Sequence, residues 1–154
     1  MIVKSLKLKN FRNYDLLNLD FDDATNIFYG DNAQGKTNLL EAIAYLGSGK
    51  AFRTQKSAEL VRLGADFADL EGKMCSQERC QTIRWLLFPA SRPRQLYRNG
   101  VKKKTSADIS GMLQTVLFCP EDLMILKTGA AMRRKLGDNA LSQLRPNYEA
   151  ALAE

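Results

Sequence analysis

The chain has 154 residues, 45% hydrophobic and 26% charged, which is the balance of an ordinary globular protein. It contains no histidine, which removes histidine-based triads, histidine general bases and most zinc sites together. The net charge of +6 is spread evenly, +2 in each of residues 1–56, 57–100 and 101–154, so it fits a nucleic-acid partner or a plain solvated surface and forms no basic tail.

In chain order, Met1 to Leu6 has no signal-peptide core, and no apolar run approaches the roughly 18 residues of a membrane span. A cytoplasmic location with no membrane partner is expected. Ile2, Leu6 and Leu8 share one parity, broken by Lys4, while Ser5, Lys7 and Lys9 lie on the other, the pattern of a half-buried strand. Asn10 to Asn13 reads as a connection. Leu17, Leu19 and Phe21 then alternate with Asn18, Asp20 and Asp22 and predict a second strand paired with the first. Arg12 in the connection is either a solvated cation or a contact to a phosphate or base.

Thr25 to Tyr29 is a short β-rich run that ends at Gly30-Asp31-Asn32-Ala33-Gln34-Gly35-Lys36-Thr37, a strict G-x-x-x-x-G-K-[ST] loop. Leu39, Leu40, Ile43 and Leu46 follow at the spacing of one helix face, and Gly47 and Gly49 supply a stop. Each residue type has a task in binding phosphate. Gly30 and Gly35 let the backbone turn and approach a ligand without a Cβ in the way. Successive N–H groups and the positive end of the helix form a concave anion site. Lys36 reaches β- and γ-phosphates, and the Thr37 hydroxyl completes the shell of a Mg²⁺ ion. Strand, loop and helix in this order predict a nucleotide-binding loop over Gly30–Thr37.

Arg53 lies one helix and a return loop beyond Lys36, placed either to add charge to a phosphoryl group or to sit in water. Residues 57–64 read as a short amphipathic helix ended by Gly64. Leu70, Gly72 and Met74 alternate with Asp69, Glu71 and Lys73, and Ile83, Trp85 and Leu87 with Thr82, Arg84 and Leu86, as strands, and Asn99-Gly100 between strand-like flanks signals a tight hairpin. Lys102, Lys103 and Lys104 read as a solvated sheet edge. Cys75, Cys80 and Cys119 are odd in number and read as small packed hydrophobes, with no disulfide framework expected. Residues 106–113 suggest a short helix and Thr115–Cys119 a buried strand. Pro120-Glu121-Asp122-Leu123 imitates a Walker B end, but proline followed by acids is what a helix start wants. Ala130 to Glu154 is helical, interrupted by Gly137 and turned at Arg145-Pro146.

Four stretches carry a resemblance: Leu8 to Tyr14; Gly30 to Ile43; Phe52-Arg53-Thr54; and Phe118 to Leu123 running on to Arg133-Arg134-Lys135 and Leu141 to Leu144. In this order they resemble the N-terminal part of the RecF family, bacterial recombination-mediator ATPases related to the ABC and SMC ATPases. The resemblance implies an α/β P-loop NTPase head, a mixed sheet with an antiparallel subsheet and the start of a helical lobe, in incomplete form. Residues 1–128 would belong to the head and 129–154 to the lobe. It implies ATP on Gly30, Asp31, Asn32, Ala33, Gln34, Gly35, Lys36 and Thr37, with Mg²⁺ reached by Thr37 through ATP, and Arg12 and Arg53 near the nucleotide. It further implies single-stranded, gapped or junction DNA as partner, RecO and RecR as co-workers, an ATP-dependent homodimer, and roles in gap repair, replication restart and SOS induction.

The chain departs from that pattern with Cys119 in place of serine and Leu136-Gly137 in place of a Phe-Leu pair. It also has no signature helix and no Walker B strand, so it reads as a partial chain that binds nucleotide weakly and does not hydrolyse it. Two other classes stay open: a small P-loop phosphotransferase, and a non-catalytic basic DNA-binding module.

Overall fold

The computed structural model describes residues 1–54, 56–76, 79–89, 92–119, 122, 129–145 and 148–151. Six strands, β1 (Ile2–Phe11), β2 (Tyr14–Asp20), β3 (Ala68–Cys75), β4 (Cys80–Leu87), β5 (Gln95–Arg98) and β6 (Val101–Lys103), form one antiparallel sheet in the order β2-β1-β3-β4-β5-β6. Period-two alternation puts one apolar row across the sheet, in which Leu8 pairs with Leu70, Leu70 with Trp85 and Trp85 with Leu96. All four are buried. The tight turn at Asn99-Gly100 forms as the spacing predicts, with both residues at positive φ, 49° and 77°.

Helix α1 (Lys36–Ser48) lies on this apolar face. Its buried side is Leu39, Ala42, Tyr45 and Leu46, with Glu41 beside them, while Leu40 points to solvent, so the buried stripe is rotated from the one periodicity suggests. Gly72 makes room for it, because a Cβ there would lie 2.4 Å from Leu46 Cδ1. Tyr45 meets Trp85 edge to face at 5.5 Å between ring centres. Gly49, at φ 63°, ends the helix and donates its N–H to Tyr45 O at 2.7 Å, whereas Gly47 stays inside the last turn. Arg94 stacks over Trp85 and donates to the Tyr45 hydroxyl and to Gly49 O, closing the C-terminal end of α1.

Several expectations are corrected. Residues 25–29 form no strand; Ile27 is 79% and Tyr29 91% exposed, because no described strand lies alongside to complete a ladder. Thr115–Cys119 likewise forms no strand: the Thr115 N–H and carbonyl pair with the Gln143 side chain at 2.7 and 3.1 Å, and Val116 and Phe118 are exposed. Residues 57–64 hold a single 3₁₀ turn, Ser57–Leu60, followed by a bridge from Val61 to Phe11. Residues 106–113 shorten to a 3₁₀ turn at Ser106–Ile109, held by a reciprocal cap between Thr105 and Asp108. Helix α2 (Ala130–Leu144) runs through Gly137 without a break and ends at Arg145, before α3 (Tyr148–Ala151).

Cys75 and Cys80 are not separate packed thiols. They are directly opposed across the β3–β4 hairpin, Cα atoms 4.0 Å apart, and joined as a disulfide. Opposed positions on adjacent strands bring two Cβ atoms within bridging reach, which a count of cysteines does not reveal. Of the helix start read at Pro120–Leu123, only Asp122 lies among the described residues. It accepts the Cys119 N–H at 2.7 Å and returns its own N–H to Cys119 O at 2.9 Å.

Candidate functional site

The loop Gly30–Gly35 makes the turn into α1 with positive φ at Gly30 (142°), Ala33 (64°) and Gly35 (105°). Gly35 occupies the cap position without a side-chain cap bond, and the first helical bond runs from Leu39 N to Gly35 O at 3.0 Å. The N–H groups of Lys36, Thr37 and Asn38 are therefore the unspent donors of a helix start, where the macrodipole adds partial positive charge. Lys36 folds back over this loop and donates to Gly30 O at 2.6 Å and Asp31 O at 2.5 Å. Its ammonium is only partly covered and borders a hollow of about 290 Å³ shared with Tyr14, Gln34 and Tyr29. The Thr37 hydroxyl is exposed and has no hydrogen-bond partner among the described residues.

The β1–β2 turn is the second component. Asn10 and Arg12 both take positive φ, 52° and 53°, which swings Arg12, Asn13 and Tyr14 over the start of α1. Arg12 is neither a free solvated cation nor aimed at the loop amides. Nε and Nη2 make a two-pronged pair with the fully buried Glu41 carboxylate at 2.9 and 3.0 Å, and Nη1 donates to Glu59 O at 3.1 Å. Asn13 Nδ2 donates to Gln34 O at 3.2 Å and Asn13 Oδ1 accepts from Asn38 Nδ2 at 2.8 Å. The Tyr14 hydroxyl donates to Gly35 O at 3.1 Å, and burial pushes this phenol above its ordinary range.

Arg53 joins the same cluster, its Nη1 reaching Asn38 Oδ1 at 3.3 Å, one residue beyond Thr37. A groove of about 670 Å³ opens beside it, lined by Arg12, Asn13, Asn38, Arg62 and Leu63 among others. The structure thus gathers Arg12, Arg53 and the Gly30–Thr37 loop at one end of α1. Motif reading missed Asn13, Tyr14, Asn38 and Glu41. Glu41 carried a signal, a carboxylate between the apolar positions 39, 42 and 46 of a half-buried helix, which calls for a cationic partner. Among the described residues no cluster of three or more His, Cys, Asp or Glu side chains forms a metal site, and no helix is long and apolar enough to cross a membrane.

A glycine-rich loop feeding amides, a lysine and a hydroxyl into the start of a helix packed on an antiparallel sheet defines a P-loop ATPase unit. Residues 1–114 match the family model described as AAA ATPase domain, and the chain belongs to that family.

The resemblance to RecF is borne out by similarity over nearly the whole chain. It is 40% identical to the "DNA replication and repair protein RecF" of Clostridium novyi over 96% of this chain and 41% of that protein. It is 38% identical to the protein of the same name from Oceanobacillus iheyensis, over 100% of this chain and 41% of that one. The chain therefore spans about two fifths of the length of these curated relatives. A solved structure of the recombination mediator protein RecF-ATP in the RecFOR pathway superimposes with a TM-score of 0.91 at 35% identity, covering 99% of this chain and 41% of that one. An SMC ATPase structure, at 22% identity and a TM-score of 0.71 over 90% of this chain and 99% of that one, shares the fold.

Proposed function

We propose that this chain is the ATP-binding portion of a RecF-type DNA-repair ATPase, with the triphosphate held on Gly30–Thr37. The observation that carries the reading is the set of free first-turn amides of α1, flanked by Lys36 and the unpartnered Thr37 hydroxyl. The amides donate to phosphate oxygens, and Lys36 exchanges its two loop carbonyls for the terminal phosphates. A single hydroxyl suits Mg²⁺, a hard cation that keeps phosphate oxygens and water as its remaining ligands. The sugar and base would take the groove beside Asn13 and Asn38, with Arg53 near the phosphates. Residues 1–128 act as the head and 129–154 as the beginning of a helical lobe. In the cytoplasm, a chain of its relatives' full length would bind single-stranded, gapped or junction DNA, dimerise around ATP and work with RecO and RecR. These 154 residues bind nucleotide and do not turn it over.

The test is titration of the chain with a fluorescent ATP analogue and Mg²⁺, beside Lys36→Ala. Saturable, Mg²⁺-dependent binding weakened at least about tenfold by the substitution is expected, the loss of a charge-assisted contact. No saturable binding, or an indifferent variant, overturns the reading. With the chain extended to its relatives' length, ATP-dependent retention on gapped DNA supports the repair role. Salt-sensitive binding indifferent to ATP would favour a basic DNA-binding module instead, and phosphorylation of a small acceptor a phosphotransferase.

A further inference from the structure

We propose that the β1–β2 turn is a positioning clamp for the phosphate loop, with Tyr14 and Asn13 together holding the backbone at Gln34 and Gly35. The inference rests on the nucleotide-binding reading of Gly30–Thr37 and adds the residues that hold that loop in its binding shape. The loop needs an external hold. Three of the six residues Gly30–Gly35, one of them Ala33, sit at positive φ, where a residue with a Cβ loses about 1–2 kcal/mol. Its own internal tie is Lys36, and a triphosphate would draw that lysine away.

The hold comes from about twenty residues earlier in the chain. Tyr14 borders the hollow that Lys36 and Gln34 share, and Asn13 borders the groove lined by Asn38. Between them their side chains occupy the carbonyls of Gln34 and Gly35, which turns the N–H groups of the following residues toward the ligand side. The fit is close enough to require glycine: a Cβ on Gly35 would stand 2.7 Å from Asn13 Nδ2 and 2.9 Å from the Tyr14 hydroxyl. The turn is itself anchored independently of the loop, through the Arg12–Glu41 pair and the bond from Arg12 N to Leu60 O at 2.8 Å. Tyr14 and Asn13 are positioning residues, acting on phosphate through the loop.

Tyr14→Phe removes one hydroxyl and keeps the ring, and Asn13→Ala removes both amide contacts. Two readouts are taken on each variant: affinity for a fluorescent ATP analogue, and backbone ¹⁵N order parameters of residues 30–37 in the free protein. Tyr14→Phe is expected to raise the dissociation constant about two- to tenfold, the worth of one neutral hydrogen bond, and Asn13→Ala more. Order parameters over 30–37 should fall from about 0.85 toward 0.6 while those of β1, β3 and β4 stay unchanged. A general loss of thermal stability with an undisturbed loop overturns the clamp, as does wild-type affinity in both variants. If the unsubstituted chain binds no nucleotide, the underlying reading fails, and the order parameters alone still decide whether the clamp exists.

Discussion

Arg12 and Glu41 offer a direct test of how burial divides the energy of an ion pair. Glu41 is 0% exposed, whereas the Arg12 side chain is 21% exposed, borders a groove and holds a third contact at Glu59 O. The two single substitutions should therefore not be equivalent. Arg12→Ala strands a buried carboxylate with no described donor in reach, and the cost expected is about 3–5 kcal/mol. Glu41→Ala leaves a guanidinium that can turn to water in the groove, so the loss falls to about 1.5–3 kcal/mol, the worth of a charge-assisted bond. The double variant should be no less stable than Arg12→Ala alone, because the second substitution removes the stranded group; the coupling is expected within about 0.5–3 kcal/mol. Urea unfolding followed by fluorescence of Trp85, the one tryptophan and almost fully buried, reports all four proteins. In a chain of this size each kcal/mol also moves the melting temperature by about 2–4 °C. A larger loss for Glu41→Ala than for Arg12→Ala, or losses below about 0.5 kcal/mol for both, would refute the reasoning, the latter being the range of an exposed pair.

Other outcomes follow from single positions. Gly35→Ala combines φ 105° with a Cβ inside the Asn13–Tyr14 contact, so nucleotide binding should be lost while the β-sheet circular dichroism is retained. Gly72→Ala forces a methyl to 2.4 Å from Leu46 Cδ1 and should cost about 1–3 kcal/mol of unfolding free energy as overpacking. Reducing Cys75–Cys80, five residues apart, should lower stability by about 2 kcal/mol from loop-closure entropy, and the Cys80→Ser chain should melt at the same temperature with or without reductant. The hydrogen bond from the Thr105 backbone N–H, more than any other influence, holds the Asp108 carboxyl below the usual carboxylate range. The cap it forms is then fully present above the ordinary aspartate range and lost as pH falls through the lowered value. A carbon-13 titration of Asp108 with a midpoint at or above that ordinary range would contradict the reciprocal cap.

Local patterns read true wherever the physics behind them is local. Alternation over Ile2–Lys9, Leu70–Met74 and Ile83–Leu87 placed β1, β3 and β4 because a strand's two faces follow from backbone geometry alone. Asn99-Gly100 set its hairpin because those residues tolerate the backbone angles a two-residue turn requires. The backbone shape of the Gly30–Thr37 loop was legible for the same reason: glycines at fixed spacing before a helical run describe a turn with positive φ that opens a helix. Whatever depended on a distant neighbour was not legible. Residues 25–29 and 115–119 have strand composition, yet a strand exists only when another lies beside it. The bond between Cys75 and Cys80 needed the β3–β4 register. Arg12, read as solvated or phosphate-bound, is claimed by Glu41 twenty-nine residues away, and Asn13 and Tyr14 reach the loop across twenty-one. Sequence spacing carries no record of such pairs, since packing α1 onto the sheet is what first brings them together.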